Sequence, residues 1–263
     1  YAGDAPPPRP HPIGHRGRFR PYRWVFQRVP IFPVEPWSDF VTTLEVPYRS
    51  ADELLQDPDL FVQRRLHGRL NAYLRRHRIH VKVFATARQA RVEWENHRVL
   101  IGAGFLVPRP AVGGVLPDGR GLFSSVRLEG MSQLDRLMPQ LDARRTILNV
   151  ADLCRRLHAC GLVHKDLYLC HFFGRPGSDL LGLIDLARVA RTRSWRLRVK
   201  DLAAVVYSSR EIGISWPTLY RGLRRYGGGR LLARAVMRKY RRMRSHVPRN
   251  VREGVETLEP PCT

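Results

Sequence analysis

The sequence predicts an α+β chain in two lobes, a small strand-rich front part with one helix and a larger helical back part. Three observations carry this. Arg69–Leu74 and Ile79–Phe84 alternate apolar and polar residues as paired strands do, about a turn over 75–78. Behind residue 143, apolar residues recur at helical spacing in several long segments. Between these regions two aspartates, Asp166 and Asp185, stand in loops where the halves should meet.

Taken in order, residues 1–40 form an arm dense in Pro, Arg and aromatic residues, where proline breaks both helix and sheet. The front lobe is placed over 41–128. Helical spacing over 88–102 stops at Gly102 and Gly104. Strands over 112–116 and 122–128 form a hairpin around Pro117-Asp118-Gly119-Arg120-Gly121. A hinge at 128–131, broken by Glu129-Gly130, leads into the back lobe over 129–250, and residues 251–263 are a tail. The helix over 143–160 carries Ile147, Leu148, Val150, Ala151, Leu153, Cys154 and Leu157 on one face and ends at Gly161. Further helices are read over 195–208, 216–226 and 231–244.

Composition sets the bounds. The chain has 263 residues, enough for one large domain or two coupled lobes. It holds 46 Lys+Arg against 23 Asp+Glu, a net charge of +23, which suits an acidic partner such as nucleic acid, anionic lipid or a phosphorylated glycan. No paired Cys/His finger or other nucleic-acid pattern accompanies the charge, so nucleic acid is not the expected partner. The four cysteines, Cys154, Cys160, Cys170 and Cys262, match no zinc spacing and read as reduced thiols, which fits the cytoplasm. No apolar run approaches the roughly 20 residues that span a bilayer, and no signal peptide is visible.

The chemistry is concentrated in Val163-His164-Lys165-Asp166-Leu167-Tyr168-Leu169-Cys170-His171-Phe172 and in Leu183-Ile184-Asp185-Leu186. An acid in a polar loop after a helix can take the proton of an attacking hydroxyl. A second acid at the end of an apolar run can hold a metal ion on nucleotide phosphates. Upstream, Lys82 lies on a predicted strand and Glu93 on the helix that follows. A phosphate-binding lysine needs such a carboxylate to aim it. Glu95 competes for that role but points about 200° away around the helix. Each residue alone has a plainer reading: Asp166 as a turn former, His171 as a packed histidine, Asp185 as a strand end, Lys82 and Glu93 as surface charges. Their joint order on the right elements points to phosphoryl transfer in a protein-kinase-like bilobal fold. Asp201 opens the apolar part of the next helix, either bracing the catalytic loop or compensating a helix N-terminus.

The segment His164-Lys165-Asp166-Leu167-Tyr168-Leu169-Cys170-His171-Phe172 closely resembles the catalytic loop of the bacterial lipopolysaccharide core heptose kinases, in the group that includes the Kdo kinases. Ile184-Asp185-Leu186-Ala187-Arg188, Lys200-Asp201-Leu202 and Glu93-Trp94 resemble that family's other motifs, over about residues 79–245. The resemblance implies ATP and magnesium as cofactors, Asp166 as catalytic base, and Lys82, Glu93 and His171 at the nucleotide. It implies Asp185 and His171 as metal ligands and His164 and Asp201 as supports of the loop. It also implies transfer to a heptose of the inner core, beside an anionic inner-membrane surface at the cytoplasmic face. Two features depart from the pattern. Lys165 replaces an arginine, and no glycine-rich phosphate cover precedes Lys82, where Gly68 is the only nearby glycine. His171 also stands where a protein kinase has asparagine, so it either binds metal or orients phosphate or Asp166. Rival readings are a Kdo kinase, a kinase of protein or small molecules, and a non-catalytic basic binding module on the same scaffold.

Overall fold

The computed structural model describes residues 40–42, 48–66 and 69–245. Of the Pro/Arg-rich arm only Phe40 is among them, and the tail over 251–263 lies outside them. Six strands build the front lobe: β1 (Phe40–Thr42), β2 (Leu60–Leu66), β3 (Arg69–Leu74), β4 (Ile79–Phe84), β5 (Pro110–Val115) and β6 (Gly121–Val126). They pair antiparallel in the order β1-β5-β6-β4-β3-β2.

Alternation along β4 decides which residue faces what. Ile79, Val81 and Val83 point to one face and pack with Tyr48, Leu54 and Leu122 beneath helix α1 (Ala51–Leu55). Period 2 turns His80, Lys82 and Phe84 to the other face. There helix α2 (Ala87–Gly102) lies across the sheet, with Ala90 and Trp94 against Phe84 and Phe123. Lys82 therefore faces α2 because its neighbours in β4 are apolar. Thr86 caps α2 by accepting from the Gln89 amide (3.4 Å).

Close approach of α2 depends on Gly121. A Cβ there would lie 2.6 Å from Ala87 Cα and 2.7 Å from Ala90 Cβ. Gly121→Ala is expected to push the helix off the sheet at a cost of about 1–3 kcal/mol. Thermal melting reads the effect, and an unchanged Tm would refute the packing argument.

The back lobe carries α3 (Leu134–Leu137), α4 (Ala143–Ala159), α5 (Trp195–Glu211), α6 (Trp216–Tyr226) and α7 (Arg230–Arg244). Asp142 starts α4 by accepting from the Arg144 and Arg145 amides (2.8 and 3.1 Å), and Gly161 in the left-handed region follows its end. Ile147, Val150, Cys154 and Leu157 from α4 share one core with Leu202, Val206, Leu219 and Leu223. Five short strands shape the loops above this core: β7 (Ser132–Gln133), β8 (Leu162–Val163), β9 (Phe172–Gly174), β10 (Gly182–Leu183) and β11 (Ala190–Arg191). β10-β9-β7 form one small sheet and β8-β11 another.

The lobes are joined at more than the hinge. Leu100 and Phe105, at the end of α2, sit in the back-lobe core, and the Leu183 amide donates to Leu106 O (2.9 Å). The predicted hairpin strand over 122–128 ends at Val126, and the Arg127 amide continues the β4–β6 register by one further bond to Arg78 O (2.9 Å). The fold is a bilobal α+β architecture with a β-rich front lobe and a helical back lobe.

Candidate active site

The cleft between the lobes gathers side chains from four elements. Lys82 Nζ on β4 donates to Glu93 Oε1 on α2 (2.7 Å) and to Asp185 Oδ1 beyond β10 (2.8 Å). Glu93 is 1% exposed, while Glu95 pairs instead with Arg98 at 3.7 Å on the helix surface. Burial works against the Lys82 ammonium, but the Glu93 and Asp185 carboxylates outweigh it and hold its pKa above the ordinary lysine range. The Lys82 cation in turn holds the Asp185 carboxyl well below its usual range. Lys82 and Asp185 are thus charged at neutral pH, whereas burial raises the Glu93 carboxyl against the opposing pull of Lys82. Asn96, one turn beyond Glu93, donates Nδ2 to Leu186 O (2.7 Å) and Val189 O (3.1 Å), which fastens the segment after Asp185 to α2.

The loop that follows β8 is held from below. Asp201, fully buried, accepts from the backbone amides of His164 (2.8 Å) and Lys165 (2.7 Å) and from His158 Nε2 (3.2 Å). These bonds hold Lys165 at φ 68°, a left-handed conformation that a non-glycine residue adopts only when its surroundings fix it. α5 begins at Trp195, so Asp201 lies in its second turn, past the positions where a carboxylate compensates a helix N-terminus. The helix-compensation alternative is therefore corrected in favour of the loop brace. His164 Nε2 donates to Ile184 O (3.0 Å) and ties this loop to the one carrying Asp185.

His171 stands between the two acids. Its Nδ1 donates to Asp166 O (2.6 Å), so in the neutral ring the Nε2 lone pair faces Asp185 Oδ2 at 3.6 Å. Two lone-pair donors facing each other across this gap fit a shared cation. The Asp185 carboxylate is the hard oxygen donor that magnesium takes, whereas the His171 imidazole is a softer one. Among the described residues no three His, Cys, Asp or Glu side chains gather as a metal cluster. Asp185 itself adopts a left-handed conformation (φ 57°), which aims its carboxylate at Lys82 and His171 together. Asp166 lies on the far side of His171, where Oδ2 accepts from Arg188 Nη1 (2.5 Å) and Oδ1 is 3.6 Å from Lys200 Nζ. Cys170 beside it is no nucleophile, since burial pushes its thiol up to about 11.

Lys82, Glu93, Asp166, His171 and Asp185 thus come together between the lobes, with His164 and Asp201 buried beneath the loop and Glu95 on the outer face of α2. Sequence reasoning missed Asn96, His158, Arg188 and Lys200. His158 had a signal, as a lone polar residue on the buried face of α4. Arg188 and Lys200 stood inside quoted motifs with no role attached. Asn96 had none beyond its one-turn distance from Glu93.

The buried histidines make stability sensitive to acid. Burial lowers the pKa of His97 to about 3 and of His80 to about 4, and also lowers those of His158 and His164. Below about pH 6.5 the unfolded chain takes up protons that the folded one refuses, so stability falls as pH drops through this window. His97 alone contributes roughly 2 kcal/mol of that loss at pH 5. Urea midpoints at pH 7.5 and pH 5 measure it. Equal midpoints would show that these rings are not held neutral.

The lipopolysaccharide core heptose(I) kinase WaaP of Escherichia coli K12 is 33% identical over 93 residues, 32% of this chain and 35% of that one. Its Pseudomonas aeruginosa counterpart is 35% identical over 116 residues, 40% and 43% of the two chains. These alignments span less than half of the curated relatives' length. Among solved structures, WaaP in complex with acyl carrier protein superposes with TM-score 0.58 at 25% identity, covering 73% of this chain and 91% of that one. The aminoglycoside phosphotransferase APH(3'')-Id of Streptomyces rimosus shares the fold, with TM-score 0.57 at 17% identity over 70% and 93%. Residues 49–226, more than half of the chain, match the family described as lipopolysaccharide kinase (Kdo/WaaP), and the chain belongs to that family.

Proposed function

We propose that this protein is an ATP-dependent kinase that phosphorylates a sugar hydroxyl of the lipopolysaccharide inner core, with heptose as the acceptor, at the cytoplasmic face of the inner membrane. The observation that carries the reading is Lys82 Nζ held between Glu93 and Asp185, opposite a loop bearing Asp166 and His171. Lys82, aimed by Glu93, binds the α- and β-phosphates of ATP. Asp166 orients the sugar hydroxyl and takes its proton as the oxygen–phosphorus bond to the γ-phosphate forms. The bond from γ-phosphorus to the bridging oxygen breaks, and ADP leaves with that electron pair. A magnesium ion held by Asp185 and His171 would neutralise phosphate charge.

The basic excess supports the partners in this reading. α6 and α7 contain no acidic residue, and Arg221, Arg224, Arg234, Arg238, Arg241 and Arg242 are exposed on them. Against an anionic leaflet each such cation contributes about 1 kcal/mol near the surface. Among the described residues no helix is long and apolar enough to cross a membrane. The acyl carrier protein found with a solved relative is a further partner we extend to this chain.

The test is incubation of purified protein with γ-labelled ATP, magnesium and heptose-containing lipopolysaccharide. Label in the glycolipid at a heptose hydroxyl supports the reading. Label in protein alone, or none with any glycan, overturns it.

A further inference from the structure

The pair of cations on Asp166 is not used by the chemistry above. Arg188 Nη1 lies 2.5 Å from Oδ2 and Lys200 Nζ 3.6 Å from Oδ1, so Oδ2 carries a hydrogen bond and Oδ1 faces a second cation at longer range. An incoming hydroxyl needs one of these oxygens. One carboxylate also cannot balance two cations, which leaves an excess positive charge where the acceptor must enter.

Arg188 is built to move its side chain and nothing else. Its backbone belongs to the short turn 186–188, whose first residue Leu186 is fully buried and whose flanking carbonyls are held by Asn96. The side chain is 59% exposed. The pair is open to solvent on the Arg188 side, so a better-matched anion can exchange for Asp166. A guanidinium prefers a partner that takes two parallel hydrogen bonds, which a free carboxylate or phosphate offers and a sugar hydroxyl does not. Arg188 pairs with Asp166, whereas Lys82 pairs with Glu93 and Asp185, so the two cations serve different acids.

We propose that Arg188, with Lys200 beside it, is the acceptor-recognition site of the cleft, binding a carboxylate or phosphate that the acceptor glycan carries next to the hydroxyl to be phosphorylated. Capture of that anion draws Arg188 off Asp166 and frees the base, so the same event recognises the acceptor and readies the carboxylate. Neutral sugars of identical stereochemistry leave the ion pair in place and react poorly. The inference rests on the kinase reading.

The test compares three acceptors with the full chain: intact heptose-containing core, core with its carboxyl groups reduced, and core with its phosphates removed. Wild-type protein is expected to lose roughly 10- to 100-fold in kcat/KM on one modified acceptor, the range for a charge-assisted hydrogen bond. The acceptor that suffers identifies the anion. Arg188→Ala is expected to raise the KM for intact core by a similar factor, leave the KM for ATP in place and erase the discrimination. Arg188→Lys recovers part of it. Wild-type protein that treats all three acceptors alike overturns the proposal, and that result needs no variant to fold. An Arg188→Ala defect of equal size on every acceptor with unchanged KM also overturns it, placing Arg188 on the transferred phosphoryl group. Failure of the wild type on every acceptor, by contrast, removes the kinase reading and this proposal with it.

Discussion

Replacing Asp166 by alanine is expected to lower kcat for phosphoryl transfer by about 10²–10⁴ while the KM for ATP stays within about twofold. The asymmetry follows from position. Asp166 reaches neither Lys82 nor Asp185, and its side chain touches Arg188 and Lys200 alone among charged groups. Its loss therefore spares the nucleotide side of the cleft. The loop keeps its shape, because the bonds that hold it run through the Asp166 carbonyl to His171 and through the neighbouring amides to Asp201. Initial rates with labelled ATP and glycolipid read kcat directly. A variant that retains full kcat would remove Asp166 from the chemistry, and an equal rise in the KM for ATP would move it to the nucleotide.

Asp201→Ala is the largest structural lesion the site offers. Three buried donors, the His164 and Lys165 amides and His158 Nε2, lose their acceptor at once. Stranding groups of this kind costs roughly 3–5 kcal/mol. His158 also accepts from the Tyr226 hydroxyl at Nδ1 (2.9 Å), so the damage extends from the loop into α6. Lys165 has no reason to keep its left-handed backbone once its amide is free. The variant should lose stability and kcat together. Asp201→Asn keeps one acceptor oxygen but sets an amide donor against the remaining donors, and should fall between. Chemical denaturation and initial rates on the same preparations test this. A stable Asp201→Ala protein with wild-type rate would show that the loop holds itself.

The amino-acid pattern revealed those parts of the fold that are local. The β3–β4 hairpin follows from alternation, α2 and α4 from their apolar stripes, and the place of Lys82 from the apolar residues that flank it in β4. Helix α1 and strand β2 escaped notice because α1 has only five residues and β2 mixes Gln63, Arg64 and Arg65 with apolar positions and carries a bulge after Val62. Strands β7 to β11 are two or three residues each. They exist only through partners distant in sequence, as when Ser132 pairs with Gly174, and no window of sequence contains that information. The site divides the same way. Acids in family motifs could be named from spacing, but which cation meets which acid depends on the folded cleft. Arg188 sits three residues after Asp185 yet its bond goes to Asp166, 22 positions earlier.

The clasp on α2 has one more implication. Lys82 fixes Glu93 from the sheet, and Asn96 fixes the same helix face to the chain beyond Asp185. Swinging α2 outward would break the Lys82–Glu93 ion pair and both Asn96 hydrogen bonds together. Helix and Asp185 segment are thus clasped to each other as well as to the sheet, so they move as one body or not at all.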